Sequence, residues 1–206
     1  MGVAGAMALG TVATATPAVA TPRGRVWHGG RSDNGWPILE KAERFDIEGS
    51  GQSVRLVEGD AATILLSVAR RFHYEIDQLR EGDVVGHSTS RRVRERYESN
   101  HLSGTAIAIR PHAYPAGVKG GLYPHELVVV RDILAELGGV VVWGGDLKTP
   151  KESHFQIAQP PGHPLVESVA RRIRGLDDSP GRGAGSLDAF DPARRRRASA
   201  FAEKNA

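Results

Sequence analysis

Two short segments carry the residues best suited to chemistry. The first is Ser99-Asn100-His101-Leu102-Ser103-Gly104-Thr105-Ala106-Ile107-Ala108-Ile109, and the second is His154-Phe155-Gln156-Ile157. A neutral imidazole binds a transition metal or moves a proton near neutral pH, so His101 and His154 are candidates for either task. The chain has no cysteine, which removes disulfides, thiolate zinc sites, cysteine nucleophiles and iron–sulfur clusters. Any metal would be held by imidazole, carboxylate or water.

Strands must position both histidines. Side chains alternate along a strand, so Thr105, Ile107 and Ile109 share the core face while Ala106, Ala108 and Arg110 are expected to look into a cleft. Phe155 and Ile157 go to the core, which turns His154 and Gln156 the other way, and pairing the two strands brings His154 beside His101. Around them, alternation over Arg44–Glu48 and Ser53–Val57 with an intervening Gly-Ser-Gly turn predicts a hairpin. Asp60 is expected to cap a helix from Ala61 to about Tyr74, with Ile64, Leu65, Val68 and Phe72 on one face. Asp83–Gly86 reads as a short strand and Ser88–Asn100 as a loop. Pro124 opens a helix that Gly138-Gly139 ends. Val140–Trp143 is a further strand, and Leu165–Ile173 a further helix. This order predicts an α+β fold, a small and mainly antiparallel sheet packed with helices.

The pattern Ser-x-His-x-x-Gly-x-Ala, with the later Trp-Gly-Gly-Asp (143–146) and His-Phe-Gln, resembles the zinc D-alanyl-D-alanine carboxypeptidase and L-alanyl-D-glutamate endopeptidase family, and in particular its exported actinobacterial branch. Arg-Arg-Phe-His-Tyr-Glu-Ile (70–76) and Tyr-Pro-Ala-Gly (114–117) are similar too, and the likeness runs from about Asn34 to Leu176. It implies a hedgehog/DD-peptidase-like fold, a zinc ion, and action on the stem peptides of peptidoglycan. In that family the first motif's His, an Asp seven residues on and the second motif's His bind zinc, and an acidic residue three before that last His is the general base. Three such ligands leave a coordination position for water, whose pKa falls to ~7, and the carboxylate passes its proton to the leaving amine.

His101 and His154 match this pattern, and they are the expected zinc ligands. Ala108 stands where the Asp ligand would be, and Lys151 where the base would be. A cationic amine repels a metal and cannot accept the water's proton. Glu152 is the candidate displaced base, and Asp146 is a candidate substitute ligand or a turn residue. Arg91, Arg92 and Trp143 are the candidate substrate contacts. Tyr114 either lines the cleft or packs, while His73 and His125 read as structural. Two imidazoles without a carboxylate make a weak zinc site, so two readings stand: a zinc-type peptidase acting on peptidoglycan peptides, or a pseudoenzyme whose cleft binds them uncut.

The remaining sequence sets the frame. Residues 1–20 carry no charge and end in Pro17-Ala18-Val19-Ala20, an A-x-A-like cleavage signal without a basic n-region, so export to the cell wall or medium is expected. The stretch is short and Gly-interrupted for a membrane span. Residues 21–35 read as a leader loop, 36–177 as the peptidase-like domain, and 178–206 as a flexible Gly/Arg-rich tail with a frayed helix over Pro192–Glu203. The 27 Lys+Arg against 24 Asp+Glu leave a formal +3, too mild to imply nucleic acid without a supporting motif. Arg194–Arg197 is expected to be a solvated run, with attraction to anionic wall polymers or lipid headgroups as the alternative.

Overall fold

The computed structural model describes residues 24–179 and 185–205; the expected signal segment lies outside them. In chain order the elements are β1 (Arg25–Val26), β2 (Glu43–Ile47), β3 (Gln52–Leu56), α1 (Asp60–Glu75), β4 (Val84–Val85), β5 (Arg92–Val93), β6 (Ala106–Ile109), α2 (Pro124–Leu137), β7 (Val141–Trp143), β8 (His154–Ile157), α3 (Pro164–Asp177) and α4 (Pro192–Lys204). Short 3-10 turns cover Arg96–His101 and Gly144–Asp146. The expected α+β fold is present, with every strand pair antiparallel.

The central sheet has the order β4-β6-β8-β7. Its register sets Ile107 opposite Phe155, Ala108 opposite His154 and Ala106 opposite Gln156, so the apolar and polar faces separate as the alternation requires. Ile107, Ile109, Phe155 and Ile157 join Ile64, Leu65 and Phe72 of α1 and Ile133 of α2 in one buried core. Burying side chains of this size contributes roughly 1.5–3 kcal/mol each. The opposite face is not open: Ala106 and Ala108 are only 0% and 3% exposed. The two alanines do not line an open cleft; the 3-10 turn that ends in His101 packs beside β6.

Local chemistry accounts for most element ends. Pro124 supplies the first residue of α2, the Glu126 carboxylate accepts from the Tyr123 amide at 2.6 Å, and Gly138 ends the helix at φ 60°. Gly59, not Asp60, precedes α1, and the Asp60 carboxylate instead meets Arg174 of α3 at 2.8 Å. The expected loop over Ser88–Asn100 contains β5, paired with β1, and a 3-10 turn. β1 and β5 are two residues each and flanked by arginines, so neither an alternation nor an apolar run marks them.

The tail expectation also changes. Asp191 caps α4 by accepting from the Ala193 and Arg194 amides at 2.9 and 3.0 Å. Arg194 then reaches Asp132 at 2.5 Å and Glu136 at 2.9 Å on α2. Arg71 of α1 meets the same two acids and Glu75. Asp132 is completely buried, so α4 is bolted to the domain by a desolvated ionic cluster and is not a solvated extension. Among the described residues, no helix is long and apolar enough to cross a membrane.

Candidate functional site

His101 sits at the end of the 3-10 turn and His154 at the start of β8. Two glycines permit the approach. Gly104 has φ +67°, and a Cβ there would stand 2.5 Å from the Val57 amide nitrogen. A Cβ on Gly144 would stand 2.2 Å from the Lys151 carbonyl oxygen and 2.9 Å from the His154 Cβ. With this packing the two imidazole rings meet edge to face, centroids 5.2 Å apart. Tyr97 lies against the His154 ring at 4.9 Å, and its hydroxyl donates to the Thr149 carbonyl. His101 is 9% exposed and His154 fully buried.

The hydrogen bonds fix both tautomers. His101 Nδ1 lies 2.8 Å from the Gly86 carbonyl oxygen, which only accepts, so Nδ1 carries the proton and Nε2 the lone pair. For His154 the logic starts at Asn34. Its backbone N–H donates to Asn100 Oδ1 at 3.1 Å, which makes Nδ2 the Asn100 donor. That donor lies 2.8 Å from Gln156 Oε1, and His154 Nε2 lies 2.8 Å from the same oxygen. His154 Nε2 therefore donates, and its Nδ1 holds a lone pair. Among the described residues this buried Nδ1 has no hydrogen-bond partner, a deficit that costs about 1–3 kcal/mol.

Both imidazoles are held neutral. Burial is the main cause for His101, reinforced by Lys151 and His87 and opposed by the Gly86 carbonyl and Glu98, and its pKa falls to about 4. Burial, then His101 and Lys151, holds His154 well below the usual histidine range against the Gln156 bond. The Lys151 ammonium pairs with Glu98 at 2.9 Å. Burial raises the Glu98 carboxyl, but Lys151 and the Arg94 and Glu95 amides outweigh it and keep the group below the ordinary carboxylate range.

The other candidates lie elsewhere or do other work. Glu152 is 5% exposed, and its carboxylate accepts from the amides of Gly120 and Gly121 at 2.7 Å and of Leu122 at 3.3 Å. It clamps a loop, and its oxygens are committed there. Asp146 forms a two-bond ion pair with Arg131, whose guanidinium also covers the Trp143 ring at 5.0 Å. Trp143 is 2% exposed and donates its indole N–H to the Glu152 carbonyl at 2.7 Å, so it is a core anchor and not a cleft wall. Arg91 is exposed and bonds the Trp27 and Gly29 carbonyls, while Arg92 projects from β5 into solvent. Tyr114 is buried and its carbonyl accepts from Ser153. His73 accepts from the Leu79 amide after α1, and His125 stacks on Tyr123 at the surface.

The structure thus unites His101 and His154 and adds Glu98, Lys151, Asn100, Gln156 and Asn34, of which only Lys151 and Gln156 were marked in the sequence. The acid whose charge acts on His101 is Glu98, which pairs with Lys151. Its place three residues before His101 becomes informative only once the 3-10 turn is known. The donor set offers two imidazole lone pairs, with the methyl of Ala108 across from His154 and an ammonium close by. That does not fit a three-ligand hydrolytic zinc centre, and no group of three or more His, Asp or Glu side chains suited to a metal occurs among the described residues. Comparison with protein-family models, curated proteins and solved structures finds no match.

Proposed function

We propose that this chain is a metallopeptidase-like protein of the cell wall that binds the stem peptides of peptidoglycan and has lost the ability to hydrolyse them. One observation carries the reading: the β6–β8 register sets Ala108 directly opposite His154, beside the edge-to-face ring pair. Directly opposed residues of an antiparallel pair hold their Cβ atoms about 4.5–5.5 Å apart. A carboxylate at position 108 would therefore share a site with His154, and this chain offers a methyl group there. The Lys151 ammonium supports the loss, because it disfavours a dication and has no lone pair with which to take a proton.

A second reading, residual zinc binding by the imidazoles alone, is favoured by the unpartnered lone pair on His154 Nδ1. The same experiment decides between them. Zinc content, muropeptide binding and muropeptide cleavage are measured on the full chain, on Ala108→Asp, on Lys151→Asp and on the double variant. The proposal expects the unmodified chain to bind muropeptides with zinc well below one equivalent and no cleavage, and the double variant to gain stoichiometric zinc. Stoichiometric zinc with cleavage by the unmodified chain would overturn the loss of hydrolysis. Absence of muropeptide binding by every form would overturn the substrate class.

A further inference from the structure

We infer that the outer edge of β7 is a docking site for an extended peptide with uncharged, apolar side chains, which joins the central sheet as a fifth strand. This function is separate from the imidazole pair and does not depend on it. The order β4-β6-β8-β7 leaves the sheet two edges. The β4 edge is closed. Just beyond it the His87 amide donates to the Arg55 carbonyl of β3 at 2.7 Å, and a Cβ on Gly86 would stand 2.2 Å from that same oxygen. On the outer side of β7 no strand pairs among the described residues. Edges that must stay unpaired commonly carry Lys, Pro or a bulge, and Val141-Val142-Trp143 carries none of these.

The register fixes which groups of β7 face outward. Along an antiparallel pair, residues bond their partner strand and the open side in alternation. The Ala158 amide donates to the Val140 carbonyl at 2.7 Å, so these two form a bonded pair, and Val142 opposite Gln156 is the next one. Val141 and Trp143 fall between and direct their main-chain groups away from β8. The β8 side agrees, since the Ile157 amide, opposite Val141, donates instead to the Thr105 carbonyl at 3.0 Å, toward β6. The Trp143 carbonyl is taken by the 3-10 turn that it caps. That leaves the Val141 N–H, the Val141 C=O and the Trp143 N–H, none of which has a hydrogen-bond partner among the described residues.

A cavity of about 590 Å³ lies against this edge, within the roughly 300–1,000 Å³ of ligand sites. Val141, Val142 and Trp143 all line it. Successive side chains on a strand point to opposite faces, so three residues in a row meet one cavity where it runs along the strand's edge. Across from them α4 contributes Phe201 and Ala202. The charged lining is balanced: Arg131 is paired with Asp146, and Lys119 and Glu203 add one cation and one anion. The occupant's chemistry follows. Two donors about 7 Å apart with an acceptor between them match the repeat of a peptide main chain, and a lining without net charge favours uncharged side chains. In such strand addition the main-chain bonds give affinity and the alternate side chains give selectivity.

The test is titration of the full chain with a fluorescein-labelled peptide of alternating Thr and Val, beside two forms N-methylated at every Thr or at every Val. One set of peptide amides faces β7 and the other faces away, so one methylated form should lose binding and the other keep it. Amide hydrogen exchange at Val141 and Trp143 should slow on the order of tenfold in the complex, while the Val142 amide, already bonded to β8, stays unchanged. Ala202→Trp fills the cavity and should weaken binding on the order of tenfold or more, whereas Ala200→Trp, on the exposed side of α4, should bind like the unmodified chain. Equal binding of both methylated forms would show apolar burial without strand pairing and overturn the proposal. So would no binding by the unmodified chain, or protection of both amides in a peptide-free dimer, which would give the edge to a second copy.

Discussion

Acid should unfold this protein through its buried imidazoles before its carboxylates titrate. His101 has a pKa of about 4 in the folded chain, against ~6.5 in an unfolded one. Above pH 6.5 the group is neutral in both states and contributes nothing to pH dependence. Between 6.5 and 4 the unfolded chain binds a proton that the folded chain refuses, so stability falls as pH falls, by up to ~1.4 kcal/mol per pH unit. Below 4 the group adds no further loss. At pH 5 the deficit from His101 alone is about 2 kcal/mol, and the full span is about 3 kcal/mol. His154, shifted the same way, adds to it. Lys151 and His87 act on His101 in the same direction as burial, while Glu98 and the Gly86 carbonyl oppose it. The assay is urea unfolding in the presence of a chelator from pH 7.5 to 4.5, on the unmodified chain and on His101→Asn, whose amide keeps a donor for Gly86. The variant should be less stable at pH 7.5 yet lose about 2 kcal/mol less on going to pH 5. Parallel curves for the two proteins would refute the assignment of a buried neutral imidazole at 101.

Two further outcomes test how the site is framed. Glu152→Gln leaves one acceptor for three amides and turns an N–H toward them, so it should cost about 1.5–3 kcal/mol in unfolding experiments; amide exchange over 117–122 should accelerate, and unchanged exchange there would sink the clamp. Asp132→Asn removes the shared carboxylate of Arg71 and Arg194, and breaking a buried pair of this kind should cost roughly 3–5 kcal/mol. Hydrogen exchange in α4 should rise in that variant, and full protection of α4 would show that the ionic cluster does not hold it.

Much of this was legible because hydrophobic period and register are local properties. Alternation in Thr105–Ile109 and His154–Ile157 was enough to separate Ile107 and Phe155 from His154, and the ladder confirms that division. Pro124 and Gly138 marked both ends of α2 for reasons of backbone geometry alone. What escaped was long-range pairing between polar groups. Asn34 reaches Asn100, Thr105 and Ile157 across more than sixty residues, and Arg194 reaches Asp132 across 62; neither contact has a local signature. The cleft expected over Ala106 and Ala108 failed for a related reason, since small residues on a sheet face accommodate either a ligand or the chain's own backbone. Here the 3-10 turn ending in His101 packs beside them.

The histidines therefore have two separable reasons to be where they are. His101 ties β4's exit to the 3-10 turn through Gly86, and His154 ties β8 to the same turn through Gln156 and Asn100. Replacing either ring would strand a buried carbonyl or amide, whatever chemistry the site performs. The paired imidazoles thus serve the fold with or without a metal, and their presence alone is weak evidence of catalysis. Position 108 is different: the Ala108 side chain has no polar atom, so no hydrogen bond of the fold depends on it, and an aspartate there would bring a carboxylate opposite His154. The Lys151–Glu98 pair completes the contrast. It leaves the polar face of the sheet close to electroneutral without a cation, so the methyl at 108 and the ammonium at 151 together, and not the histidines, are the positions on which the proposed loss of hydrolysis rests.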